Sequence, residues 1–192
     1  SVSVVRDELE RGSLIGAKYV MTHLGSAKEL GEAEAAKKTI EMLTKCLEGY
    51  DGETKLLLEN SAGAGLIIGD DLKELAEIIK SVNNPAIAGI CLDTQHSFAS
   101  GYDWRDFDAA TKRINKELGI KNIKLIHAND SATEFASNRD RHAHIGVGKI
   151  GLDAFQNIVQ FAQKNNIDMI LETEHEKVKE DIKILKQIRE KI

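Results

Sequence analysis

Five residues of metal-ligand type punctuate the chain at a near-regular interval. They are His23, Glu59, Asp93, His127 and Glu172, separated by 36, 34, 34 and 45 residues. Imidazole nitrogen and carboxylate oxygen are the donors that zinc, manganese and non-haem iron take. No cysteine stands at these positions. Three carboxylates gathered without a cation would repel one another, whereas a divalent ion removes that penalty and keeps the histidines as neutral ligands. No run of lysines or arginines nearby would serve instead.

Residues so far apart act together only if the fold gathers them. Each ends a short apolar stretch that reads as a buried strand: residues 18–22, 55–58, 87–92, 123–126 and 168–171. Helix patterns occupy residues 2–14, 28–47, 71–82, 105–118, 152–164 and 177–191, and the one proline, Pro85, lies just beyond the third. Strand and helix alternate without a hairpin signal, which predicts a parallel sheet crossed by helices. One βα unit of a TIM barrel takes roughly 30 residues. The spacing fits that α/β architecture, with residues 1–192 as one domain of five such units. Parallel barrel strands deliver their C-terminal ends to one face, and there the five residues would meet.

Two further stretches add donors. His96 follows Asp93 by three residues, and Asp140-Arg141-His142-Ala143-His144 lies in the long polar segment 128–150. In an extended segment residues two apart face the same way, so Asp140 and His142 can bind one ion together, with His144 on the same side. Taken singly, each residue has an ordinary reading: a hydrogen-bonded core histidine, a helix cap, a turn aspartate or a solvated loop. Jointly they read as a shared site for two or three ions. Paired ions clamp the attacking and leaving oxygens in phosphoester hydrolysis. The loop Gly63-Ala64-Gly65 lacks the GxGxxG spacing and reads as a tight turn near the site. Tyr102 and Trp104 are expected to pack a loop rather than stack on a base.

Composition sets the outer bounds. A net charge of −5 gives no support to a non-specific nucleic-acid binder. Cys46 and Cys91 do not make a disulfide scaffold; a reduced core thiol at Cys91, in a cytoplasmic protein, is the expectation. No apolar run is long enough to span a membrane.

Several stretches carry a resemblance. They are Leu-Leu-Leu-Glu-Asn-Ser-Ala-Gly (56–63), Cys-Leu-Asp-Thr-Gln-His-Ser-Phe-Ala-Ser-Gly-Tyr-Asp (91–103) and His-Ala-Asn-Asp-Ser (127–131). Asp-Arg-His-Ala-His-Ile-Gly-Val-Gly-Lys-Ile-Gly (140–151) and Ile-Leu-Glu-Thr (170–173) complete the set. In order and nearly throughout, the chain resembles the endonuclease IV family of apurinic/apyrimidinic endonucleases, within the xylose isomerase-like TIM barrels. The resemblance implies metal-dependent hydrolysis of damaged double-stranded DNA on the 5′ side of an abasic site. It implies up to three Zn2+ ions, with Mn2+ an alternative. His23 and Glu59 would serve the first ion. Glu59, the residue nearest the chemistry, would bridge to a second held by Asp93, His127 and Glu172, and His96, Asp140 and His142 would hold the third. Three divalent ions would offset about six negative charges where DNA approaches, which answers the acidic net charge.

The family barrel has eight strands, and this chain corresponds to the last five. The resemblance implies roughly 85 upstream residues, with three strands and a further histidine ligand. Five strands leave two sheet edges open, a route to self-association. Two other readings stand beside the nuclease: a sugar isomerase or epimerase of the same superfamily, and an inactive fragment acting only as a binding module.

Overall fold

A computed structural model describes residues 2–191. The elements run α1 (Val2–Ile15), β1 (Tyr19–Thr22), α2 (Glu32–Leu47), β2 (Lys55–Glu59), α3 (Leu72–Val82), β3 (Ile87–Asp93), α4 (Thr94–Ala99), α5 (Phe107–Glu117), β4 (Ile123–His127), β5 (Asp130–Ser131), β6 (His142–Ala143), α6 (Leu152–Lys164), β7 (Asp168–Ile170) and α7 (Val178–Arg189). Five strands form one parallel sheet in the order β1-β2-β3-β4-β7. Each strand of this sheet lies beside the sheet's next strand in the chain, as in part of a TIM barrel.

The central strands are apolar on both faces because both faces are covered. Leu56, Leu58, Ile90 and Leu92 point outward into the main core with Leu9, Leu43, Leu47, Leu72, Leu75, Phe155 and Ile158. The alternate residues Leu57, Cys91 and Leu125 form a smaller cluster on the concave face, with Tyr19 and Met21 against it. Side chains two apart on a strand share a face. Glu59 therefore stands one step beyond Leu57, Asp93 beyond Cys91 and His127 beyond Leu125. The concave face is an apolar floor topped by polar strand ends.

The register keeps those ends level: Asp93 pairs with His127 across β3 and β4, and His127 with Ile170 across β4 and β7. Gly89 permits the close approach of β3 to the chain leading into β4, because a Cβ there would collide with the Asn122 carbonyl oxygen.

Four expectations change. The second helix starts at Glu32, not 28, after Gly31 takes a left-handed φ of 75° that a preceding helical turn cannot continue. Residues 94–99 coil into α4, capped by the Asp93 side chain, so His96 sits in the first turn of a helix. The segment 128–150 contains an antiparallel ladder of β5 and β6, despite the lack of a hairpin signal. β7 stops at Ile170, which leaves Leu171 and Glu172 beyond the strand.

Beyond β7 the sheet is open. A groove of about 660 Å³ runs between β7, α6 and α7, with Ile170 and Ile182 partly exposed beside it. At the other edge β1 pairs only with β2 among the described residues. Among those residues, too, no helix is long and apolar enough to cross a membrane.

Candidate metal centre

Eight of the nine donors singled out in the sequence come together at the C-terminal ends of the strands. His127 is the hub: its Nδ1 lies 2.9 Å from Glu59 Oε1, 2.9 Å from Glu172 Oε2 and 3.9 Å from Asp93 Oδ2. On the other side of Glu59, Oε2 lies 3.3 Å from His23 Nε2. The two oxygens of Glu59 thus face two different histidines.

A second group meets it at Asp93. His96 Nε2 and His142 Nε2 are 3.4 Å apart, and Asp140 Oδ1 lies 3.3 Å from the first and 3.4 Å from the second. His142 Nε2 is also 3.8 Å from Asp93 Oδ2. Three overlapping sets have donor atoms within 4.8 Å of one another: His23, Glu59 and His96; Asp93, His96 and His142; Glu59, Asp93, His127 and Glu172. His96 Nδ1 lies 3.0 Å from the Asn60 carbonyl oxygen, nearer than the 3.7 Å to Glu59 Oε1. That carbonyl can only accept, so Nδ1 carries a proton, and Nε2 is the nitrogen that faces Asp140 and His142. His144 is elsewhere, with Nδ1 2.7 Å from Asp181 Oδ2.

Residues that the sequence reading passes over hold these donors in place. Asn60 splints β2 to β3: its Nδ2 donates to the Asp93 carbonyl oxygen, and its Oδ1 accepts the Asp93 N–H at 2.7 Å. Asn129 splints β4 to β3 and β7, donating to Asp93 Oδ2 at 2.6 Å while its Oδ1 accepts the Glu172 N–H at 2.9 Å. Asp93 Oδ1 is meanwhile engaged by the His96 N–H at 2.8 Å. Gln95 Nε2 donates to the Arg139 carbonyl oxygen, next to Asp140. The available signal is proximity: Asn60 follows Glu59 directly, and Asn129 is two residues beyond His127.

Burial and charge act strongly here. Asp93 is fully buried, which pushes its carboxyl above the usual range. Burial alone would lower His96, but Asp93, Asp140 and Glu59 outweigh it and push the imidazole up to about 9. Burial would lower His127 as well, yet Cys91, Glu172 and Glu59 raise it to about 12. A hydrogen bond from each partner holds Asp140 and Glu172 below the usual carboxylate range, from His96 and His127 respectively. Burial pushes the Cys91 thiol up to about 11, so it stays protonated. These side chains fit divalent cations: nitrogen and carboxylate donors converge, no lysine or arginine pairs with them among the described residues, and each imidazole presents one nitrogen to the group.

Sequence comparison then places the chain. The model of the xylose isomerase-like TIM barrel family matches residues 1–188. A protein of Nitrosopumilus maritimus named probable endonuclease 4 is 39% identical over 198 residues, covering 99% of this chain and 69% of that protein. The chain belongs to the endonuclease IV family. A family member of the same name from Halothermothrix orenii is 40% identical over 176 residues, covering 90% of this chain and 63% of its own. The chain therefore spans about two thirds of the length of these endonuclease IV relatives. Among solved structures, endonuclease IV from Thermus thermophilus superposes with a TM-score of 0.85 at 29% identity, over 100% of this chain and 69% of that one. A D-tagatose 3-epimerase-like protein gives 0.75 at 21% identity over 98% of this chain and 68% of that one, which is a likeness of fold.

The stretch 91–103 and the residue that follows it carry their aromatic side chains inward. Trp104 is fully buried, its Nε1 donating to the Thr94 carbonyl oxygen and to Ser97 Oγ. Tyr102 donates to Glu117 Oε2 at 2.7 Å. Neither ring faces the site. At Gly63, φ is 79°, and a Cβ there would collide with Asn138 Nδ2. The turn therefore lets the 60–65 loop approach the 132–140 loop, where Asn138 Nδ2 donates to the Ala62 carbonyl oxygen.

Proposed function

We propose that this chain carries the metal centre of an apurinic/apyrimidinic endonuclease, which hydrolyses the phosphodiester 5′ to an abasic site in duplex DNA. One observation supports this most: two donor groups, one around His127 and one around His96 and His142, share the buried Asp93. A multi-ion centre of this kind supplies an activated water and clamps the attacking and leaving oxygens of a phosphodiester.

The protein's own part is to hold and orient. His23, Glu59, Asp93, His127 and Glu172 would bind two ions, and the two Glu59 oxygens face two different histidines. His96, Asp140 and His142 would bind a third. Asn60 fixes the Asp93 backbone and Asn129 its carboxylate, so that this side chain is already oriented when substrate arrives. Zn2+ is the expected ion, with Mn2+ an alternative, and damaged double-stranded DNA the expected partner. The names of the relatives, which speak of endonuclease 4, support the same reading.

The test uses a duplex with one abasic site. Protein reconstituted with Zn2+ or Mn2+ should nick it on the 5′ side and leave an intact duplex uncut. Absence of bound metal by elemental analysis after reconstitution sinks the reading. The sugar isomerase or epimerase alternative, with one or two ions, leaves the Asp140–His142 arm without a task, and a ketose–aldose assay with Mn2+ separates the two.

One observation favours a second reading: the sheet has unpaired edges at β1 and β7 among the described residues. There the chain acts as a binding module and associates with itself through those edges. Sedimentation that changes with concentration, without abasic-site cleavage, would support it.

A further inference from the structure

Asp130 is a fully buried carboxylate that takes no part in the donor groups. It opens β5, three residues beyond His127. Five backbone N–H groups converge on it. Its Oδ1 accepts from Ser131 at 2.7 Å, Ile150 at 2.9 Å and Gly151 at 3.4 Å. Its Oδ2 accepts from Gly146 at 3.0 Å, Gly148 at 3.1 Å and Gly151 at 3.3 Å. A buried charge needs such compensation, and a ring of backbone dipoles supplies it without a cation.

The donors come almost wholly from one stretch, residues 146–151. Gly148 makes the enclosure possible: a Cβ there would lie 2.5 Å from Asp130 Oδ1 and collide with the Ser131 carbonyl oxygen. Gly146 and Gly151 contribute their N–H groups from left-handed conformations, with φ of 78° and 82°. Closing the loop onto Asp130 also sets the β5–β6 ladder, in which Asp130 pairs with Ala143 and Ser131 with His142. The strand that carries His142 is thereby pinned beside the residue next to the buried carboxylate.

We infer that Asp130 is the positioning residue for the Asp140–His142 arm, folding the loop around its charge so that His142 and Asp140 meet His96. The inference rests on the proposed metal function, and deepens it by separating the arm's support from that of the strand-end ligands. Of those, Asp93 and Glu172 are held by Asn60 and Asn129, whose side chains make no bond to the 146–151 stretch. Loss of the Asp130 charge therefore disturbs one donor group and spares the other.

The experiment has two readouts. In metal-free protein, amide hydrogen exchange should show protection at Gly146, Gly148, Ile150 and Gly151. Asp130→Asn should abolish that protection while the amides of β2, β3 and β4 keep theirs, since the variant aims an NH2 group at donors that need an acceptor. Titration with Zn2+ alone, against a competing chelator, should show one class of ion weakened about 10- to 100-fold and the others unchanged. Gly148→Ala, which keeps the charge but closes the approach, should do the same. Free exchange of those amides in the wild type overturns the inference. So does an equal loss of every ion, or no loss, in both variants. A wild type that takes up no Zn2+ defeats the metal function alone, and the exchange readout still decides the role of Asp130.

Discussion

Asn129 Nδ2 donates to Asp93 Oδ2 across 2.6 Å, tying the chain just beyond β4 to the end of β3 inside a fully buried contact. Asp93 is the carboxylate shared by both donor groups, so its orientation sets the spacing of the whole centre. Asn129→Ala would leave that oxygen without its donor and release the Glu172 N–H as well. A buried acceptor stripped of its partner costs about 1–3 kcal/mol, and lost outer-shell support lowers metal affinity about 10- to 100-fold. Urea unfolding of the metal-free protein should read the first, and chelator competition the second.

Substitution at Asp93 and at His96 should give different metal counts. His96 presents Nε2 to Asp140 and His142, while its Nδ1 is taken by the Asn60 carbonyl oxygen. Replacing it by alanine should remove one ion and leave the group around His127 loaded. Asp93 Oδ2 lies 3.9 Å from His127 Nδ1 and 3.8 Å from His142 Nε2. Asp93→Ala should therefore weaken both groups. Elemental analysis of the two purified variants measures the difference, and identical metal contents would refute it.

The strand ends are legible in the sequence because a parallel strand is apolar on both faces and stops at its first functional residue. That pattern locates His23, Glu59, Asp93 and His127 and implies that they share a face. Less is legible where a side chain bonds to backbone far away in sequence. Asp130 looks like any loop aspartate until residues 146–151 close over it. The same holds for Asp181, which looks like a surface position on α7 but accepts from Ile145 N, Thr173 Oγ1 and His144. Simple alternation groups His144 with His142, and it fails because Asp181 captures His144. The helix α4 escapes the sequence reading because its cap, Asp93, also reads as a ligand; Oδ1 caps the helix while Oδ2 faces His127 and His142.

Metal-free protein should lose stability as pH rises from 6.5 to about 9. His96 is held above its ordinary 6.5, up to about 9, by carboxylates that outweigh its burial. A group whose folded value exceeds its unfolded value stabilises fully below the unfolded value, and that gain is lost as pH passes the folded one. The buried Asp93 carboxyl, also raised, acts in the same direction. Ion uptake has the opposite sign, since cations displace protons from the imidazoles. Melting temperature should thus fall with pH in the presence of a chelator, while Zn2+ affinity climbs over the same range. Calorimetric titrations in buffers of different ionisation enthalpy should show proton release on binding.

Gly89→Ala tests whether strand packing controls the site from a distance. Gly89 lies on β3 at φ 151°, a conformation that a side chain disfavours, and its added Cβ would collide with the Asn122 carbonyl oxygen. That oxygen belongs to backbone and cannot swing aside, so β3 must shift against the start of β4. Overpacking of this kind costs typically about 1–3 kcal/mol. The same shift would move Asp93 relative to His127, its partner in the register. Urea unfolding should show the lost stability, and Zn2+ titration should show weaker binding by the His127 group although no ligand has changed. Wild-type affinity in a destabilised Gly89→Ala protein would mean that Asn60 and Asn129 hold the ligands independently of the strands beneath them.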